Sequence, residues 1–67
     1  MTQDESFREI KVLFGTLDDL NQQRRRIYTG WGTGKVPPDE FGEQLAGNLR
    51  STRDAATALL RLVKPGE

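Results

Sequence analysis

The residues with the strongest claim to chemistry lie close together: the run Gly30-Trp31-Gly32-Thr33-Gly34-Lys35, and just before it the triplet Arg24-Arg25-Arg26. A glycine-rich loop ending in lysine suggests a phosphate cradle, in which backbone N–H groups and the ammonium hold phosphate oxygens. The spacing does not fit. A Walker A loop needs glycine at 29, where Thr29 stands, and a hydroxyl at 36, where Val36 stands. It also needs a preceding strand. Catalysis has still less to work with, because the chain contains no histidine and no cysteine. A general base near neutral pH, an activated thiol, a histidine-bearing triad and the usual zinc-ligand sets are all missing. The acids that remain suit helix starts and pairing with basic residues, and none falls on an apolar stripe where a carboxylate metal site would form. The chain therefore reads as a protein without catalytic activity, cofactor or metal.

Ten basic residues balance ten acidic ones among 67, so no excess positive charge draws the molecule to nucleic acid or anionic lipid. A single core this small supplies at most about 3–5 kcal/mol of net stability, and without cysteine no disulfide can add to it. Self-association is the remaining route. Met1-Thr2-Gln3-Asp4-Glu5 has neither a basic nor an apolar run, and the longest mainly apolar stretch, Ala55 to Leu60, is too short for a bilayer. The expectation is a cytoplasmic protein. Seven arginines against three lysines suggest a GC-rich genome, and with it a bacterial or phage origin.

These residues are positioned by two helices. Thr2-x-x-Glu5 and Ser6-x-x-Glu9 are capping-box patterns, so a helix starts between Thr2 and Ser6. Phe7, Ile10, Leu13, Phe14, Leu17, Leu20, Ile27 and Tyr28 then recur every three or four residues on one face. Glycines at 30, 32 and 34 end that helix, and Pro37-Pro38 forbids its continuation. Pro38 suits the first position of a second helix, whose stripe is Phe41, Leu45, Leu49, Thr52, Ala55, Ala56, Leu59, Leu62 and Val63, with Pro65-Gly66 as its stop. The prediction is a single all-α domain over 1–67, an antiparallel two-helix hairpin with a helix over about 3–29, a loop over about 30–37 and a helix over about 38–64. Each helix is roughly 38 Å long, so the two match.

A register follows if Leu20 faces Leu49. Phe14 then meets Ala55, Tyr28 meets Phe41, and Asn21 lies opposite Asn48, where the two either share an amide hydrogen bond that fixes alignment or both stand exposed at the stripe edge. Arg24, Arg25 and Arg26 come near Asp39, Glu40 and Glu43, while Asp4 and Glu5 come near Arg61 and Lys64. Arg50 and Arg53 have Asp18, Asp19 and Asp54 within reach. Gly42 and Gly47 are costly in a helix, and close helix approach is one reason to keep them. Each stripe takes about three positions per heptad, more than one partner helix covers. The expectation is dimerisation into a four-helix bundle, with Phe7, Ile10, Phe14, Leu17, Leu49 and Leu59 in the oligomer core.

The helix, Trp-Gly loop, helix layout resembles the small helical-hairpin substrates of type VII secretion, whose turn carries Trp-x-Gly. In this chain Gly32 follows Trp31 directly, one place early, and where that family adds a secretion signal after its second helix this sequence reads Pro65-Gly66-Glu67. That resemblance implies a secreted hairpin. From the residues themselves, the expected function is a protein-binding or assembly module, such as an adaptor, an inhibitor or a structural subunit. Its partners would be a second copy and another protein. Trp31, Lys35, Tyr28, Arg24, Arg25 and Arg26 are its candidate partner-binding residues. Trp31 either covers the bundle end against Ile27, Tyr28 and Phe41 or points outward as an anchor. The alternative is a nucleic-acid-binding regulator using Arg24 to Arg26 and Lys35 on phosphates, which salt would weaken steeply.

Overall fold

The computed structural model describes residues 3–64, with side chains from Glu5 onward. It consists of two α-helices, α1 (Gln3–Gly32) and α2 (Pro38–Val63), packed against each other and joined by a five-residue turn. They run antiparallel: Trp31 near the end of α1 stacks on Phe41 near the start of α2, and mid-helix Leu20 and Asn48 are hydrogen-bonded. The Thr2 capping box, the Asp4 pairing and the Pro65-Gly66 stop lie outside the described residues.

The turn differs from the expected one. α1 runs through Gly30 and Trp31 to Gly32, so neither belongs to the loop. The reason is local. Thr33 Oγ1 donates to the carbonyls of Thr29 at 3.0 Å and Gly30 at 3.2 Å, satisfying acceptors that a helix end leaves bare. Among the described residues Gly34 alone takes a positive φ, 76°, and its N–H reaches Trp31 O at 3.0 Å. Gly30 serves a different purpose: a Cβ there would stand 3.1 Å from Val36 Cγ2, so its bare backbone lets the returning chain pass close by. Pro37 is extended (φ −63°, ψ 152°), Pro38 opens α2, and Phe41 N–H closes the first turn on Pro37 O at 2.9 Å.

The Cα trace measures 48 × 19 × 11 Å, one helix thick. Folded domains ordinarily stack at least two layers around a core. This one has a single layer and correspondingly little interior. Among the described residues only Ala55 (7% exposed) and Asn48 (3%) are buried, and no large side chain is fully enclosed.

Candidate functional site

Exposure along the helices follows three rows with a period of seven. The inner row is Leu13, Leu20 and Ile27 on α1 with Phe41, Asn48, Ala55 and Leu62 on α2, all buried or half-buried. Beside it run Ile10, Leu17 and Arg24 with Leu45, Thr52 and Leu59, all half-buried. The outer row is Phe7, Phe14, Asn21 and Tyr28 with Gly42, Leu49, Ala56 and Val63, all exposed. Every outer residue follows an inner position by one, in both helices. Antiparallel right-handed helices viewed along one axis turn in opposite senses, so this same step carries both outer rows to the same side of the layer. They form one front face, on which Phe7 is 59% exposed, Phe14 57%, Tyr28 64%, Leu49 47% and Val63 58%.

Phe14 thus stays largely exposed in the single hairpin, at 57%. The face is apolar because its residues repeat at a coiled-coil period, yet α2 covers only the inner side of α1. The residues one step the other way form the back: Val12, Asp19 and Arg26 with Glu40, Gly47, Asp54 and Arg61. Five of these seven are charged, whereas the front row has no charge at all. Two shallow clefts open on the back, one lined by Val12, Leu13, Ala58 and Leu62 between Arg8 and Arg61, the other by Gln23, Ile27, Gln44 and Gly47.

The groove between the helices is floored by a polar cluster. Asn48 Nδ2 donates to Leu20 O at 2.8 Å and to Gln23 Oε1 at 2.9 Å. Arg24 Nη1 donates to Asn48 Oδ1 at 3.0 Å and Thr52 Oγ1 at 3.1 Å, and its Nη2 to Asn21 Oδ1 at 3.3 Å. Two expectations are corrected here. Asn21 and Asn48 share no direct bond; Arg24 stands between them and joins both. And Arg24 is no solvated helix end paired with Asp39, Glu40 or Glu43: it crosses to α2 mid-helix, and no described carboxylate pairs with it. A helical side chain leans back toward the N-terminus of its own helix, so Arg24 reaches Asn48 and Thr52, away from the acids at the start of α2. Successive helix residues point about 100° apart, so Arg25 and Arg26 turn away from Arg24 and from each other, and the triplet makes no single basic patch.

Of the other expected ion pairs, Arg53 Nη2 lies 3.3 Å from Asp54 Oδ1, both well exposed. Arg50, Asp18 and Asp19 form none within the described residues. Gly42 and Gly47 have nothing within 4 Å of an added Cβ, so packing inside one hairpin gives no reason for them.

At the loop end Trp31 stacks on Phe41, with ring centroids 4.9 Å apart and planes at 23°, and Tyr28 tilts against it at 6.1 Å. Phe41 was expected to meet Tyr28; lengthening α1 by most of a turn brings Trp31 there instead. The indole remains 43% exposed, so it covers the inner row and faces solvent at once. Lys35 is exposed in the turn beside it. Among the described residues no group of acids could hold a metal ion, and no helix is long and apolar enough to cross a membrane. No family model, curated protein or solved structure matches the chain.

Proposed function

We propose that this chain is a cytoplasmic assembly and protein-binding module whose front face is covered by a second copy of itself, giving a four-helix bundle. The observation that carries the reading is the contrast between an uncharged, aromatic-bearing front row and a charged back row on a layer one helix thick. Area supports it. The chain exposes 5365 Å². A folded monomer of 7.6 kDa should expose about 4,300 Å². The surplus, on the order of 1,000 Å², is close to what each partner buries in a stable interface, roughly 800 Å². A second copy supplies an apolar plate of matching length and width, with Phe7, Ile10, Phe14, Leu17, Leu49 and Leu59 in the shared core. It also turns one layer into two.

Sedimentation equilibrium tests this directly. The expected mass at micromolar concentration is twice the 7.6 kDa of one chain. A compact, stable 7.6 kDa species across that range would overturn the proposal.

A further inference from the structure

A two-fold axis can seat the second copy in two ways. An axis along the helices places both loops at one end and sets α1 against the partner's α2. An axis across the helices places the loops at opposite ends and sets α1 against the partner's α1. On the reading that the front face self-associates, we infer that the loops lie together.

Register favours loops at one end. An axis along the helices keeps every residue at its own height, so the levels found inside one hairpin carry across the interface. Leu20 is level with Asn48 through their 2.8 Å hydrogen bond, Trp31 is level with Phe41, and Val12 and Leu13 share a cleft with Ala58 and Leu62. These levels place Phe14 opposite the partner's Ala56 and Tyr28 opposite the partner's Gly42. Phe7 then meets Val63 and Asn21 meets Leu49. Two of the three front-row aromatic residues of α1, Phe14 and Tyr28, meet the two smallest front-row residues of α2, as close packing requires. Gly42, which nothing approaches within 4 Å in the single hairpin, becomes room for a ring. With the loops apart, Phe14 would instead face Asn21, while Val63 would face Gly42.

Charge favours the same arrangement. The front face is edged by the residues four beyond its outer row: Lys11, Asp18 and Arg25 on α1, and Ala46, Arg53 and Leu60 on α2. Lys11 Nζ already lies 5.2 Å from the centre of the Phe7 ring, at that edge. With the loops together, Asp18 comes opposite the partner's Arg53, twice by symmetry, while Lys11 meets Leu60 and Arg25 meets Ala46. With the loops apart, Asp18 meets Asp18, Arg53 meets Arg53, and Lys11 meets Arg25 twice. One arrangement gains two attractive pairs; the other suffers four repulsive ones. The Arg53 to Asp54 contact is an exposed pair of neighbouring residues and yields easily. Arg24 works the other way, since loops together put its two copies level. Each guanidinium is held in its own hairpin by Asn48, Thr52 and Asn21, and about 10 Å separates packed helix layers, so this single repulsion is the smaller effect.

The consequence is a composite end. Two Tyr28–Trp31–Phe41 clusters and two Lys35 ammonium groups lie side by side on one tip, a surface that fits a two-fold or bivalent protein partner.

The chain has no cysteine, so a spin label at Lys35→Cys reports alone. Loops together should give an inter-label distance under about 30 Å, from a layer spacing of about 10 Å plus the reach of the two labels. Loops apart would give a distance near the 48 Å long dimension, which overturns the inference while leaving the dimer standing. Asp18→Arg should weaken the dimer about ten-fold, and adding Arg53→Asp should restore it. Failure of the double variant to recover would also overturn it. A monomer by sedimentation on the same samples would instead remove the self-association reading itself.

Discussion

The two faces of this layer are built from the same helices, one residue apart in phase, and differ in almost everything else. Stepping forward from the inner row gives Phe7, Phe14, Tyr28, Leu49 and Val63; stepping back gives Asp19, Arg26, Glu40, Asp54 and Arg61. Both are exposed, so exposure alone says nothing about their roles. An apolar surface in water costs free energy in proportion to its area, whereas a charged one is already well solvated. On the proposed reading, that difference gives the front to a partner and leaves the back to solvent. With only Ala55 and Asn48 buried among the described residues, the single hairpin has little interior to lose.

The most forceful way to break this comparison is to place the same change on each face. Phe14→Glu sets a charge in the middle of the front, and burying an unpaired carboxylate there should weaken self-association at least a hundred-fold. Asp19→Lys on the back should alter it by less than about three-fold. Sedimentation of both variants decides the matter, and equal effects would erase the distinction between the faces. Phe14→Ala sharpens it further. Truncating a buried aromatic costs about 3–5 kcal/mol, so the loss should appear when unfolding is measured where the dimer is populated and shrink on dilution to monomer.

A smaller effect comes from the groove between the faces. Asn48 is 3% exposed and bonded to Leu20 O, Gln23 and Arg24. Asn48→Ala leaves the Arg24 guanidinium and the Gln23 amide short of a partner, and denaturant unfolding should show a loss of about 2–3 kcal/mol. No change would mean that water replaces those bonds and the cluster is not part of the interior.

How much of this was legible in the sequence depends on the reach of each interaction. The two helices, their antiparallel arrangement and the start of α2 at Pro38 followed from spacing and from proline geometry, which act over a few residues. The end of α1 did not, because glycines at 30 and 32 read as breakers until Thr33 is seen capping Thr29 and Gly30 and Val36 is seen against Gly30. Trp31 was misplaced into the loop for the same reason, and its stacking on Phe41 followed once the helix continued. Arg24 was read by charge alone, toward the acids at the start of α2. Its neutral partner Thr52 falls on the α2 stripe and Asn48 opposite Asn21, and a half-buried guanidinium prefers the acceptors it can reach without leaving the groove. Which stripe residues stay exposed was legible only as excess width; dividing them into inner and outer rows needed the second helix in place.

The weakest expected effect is the most searching test, because it concerns the back face at its least polar point. Val12 is the one large apolar residue in the back row, 67% exposed, and beside it lie Leu13, Ala58 and Leu62 in a shallow cleft flanked by Arg8 and Arg61. If apolar exposure alone marked a docking surface, this cleft would compete with the front. It offers much less: one large exposed side chain against five, charged neighbours on both sides, and no repeat along the layer, since the positions seven and fourteen residues on are Asp19 and Arg26. Isolated apolar residues on a solvated surface are ordinary. Val12→Ser should therefore change unfolding stability by no more than about 0.5 kcal/mol and leave the dimer constant within about two-fold. A loss of self-association comparable to that of Phe14→Glu would move the interface to the back, and with it the argument from Asp18 and Arg53 for loops at one end.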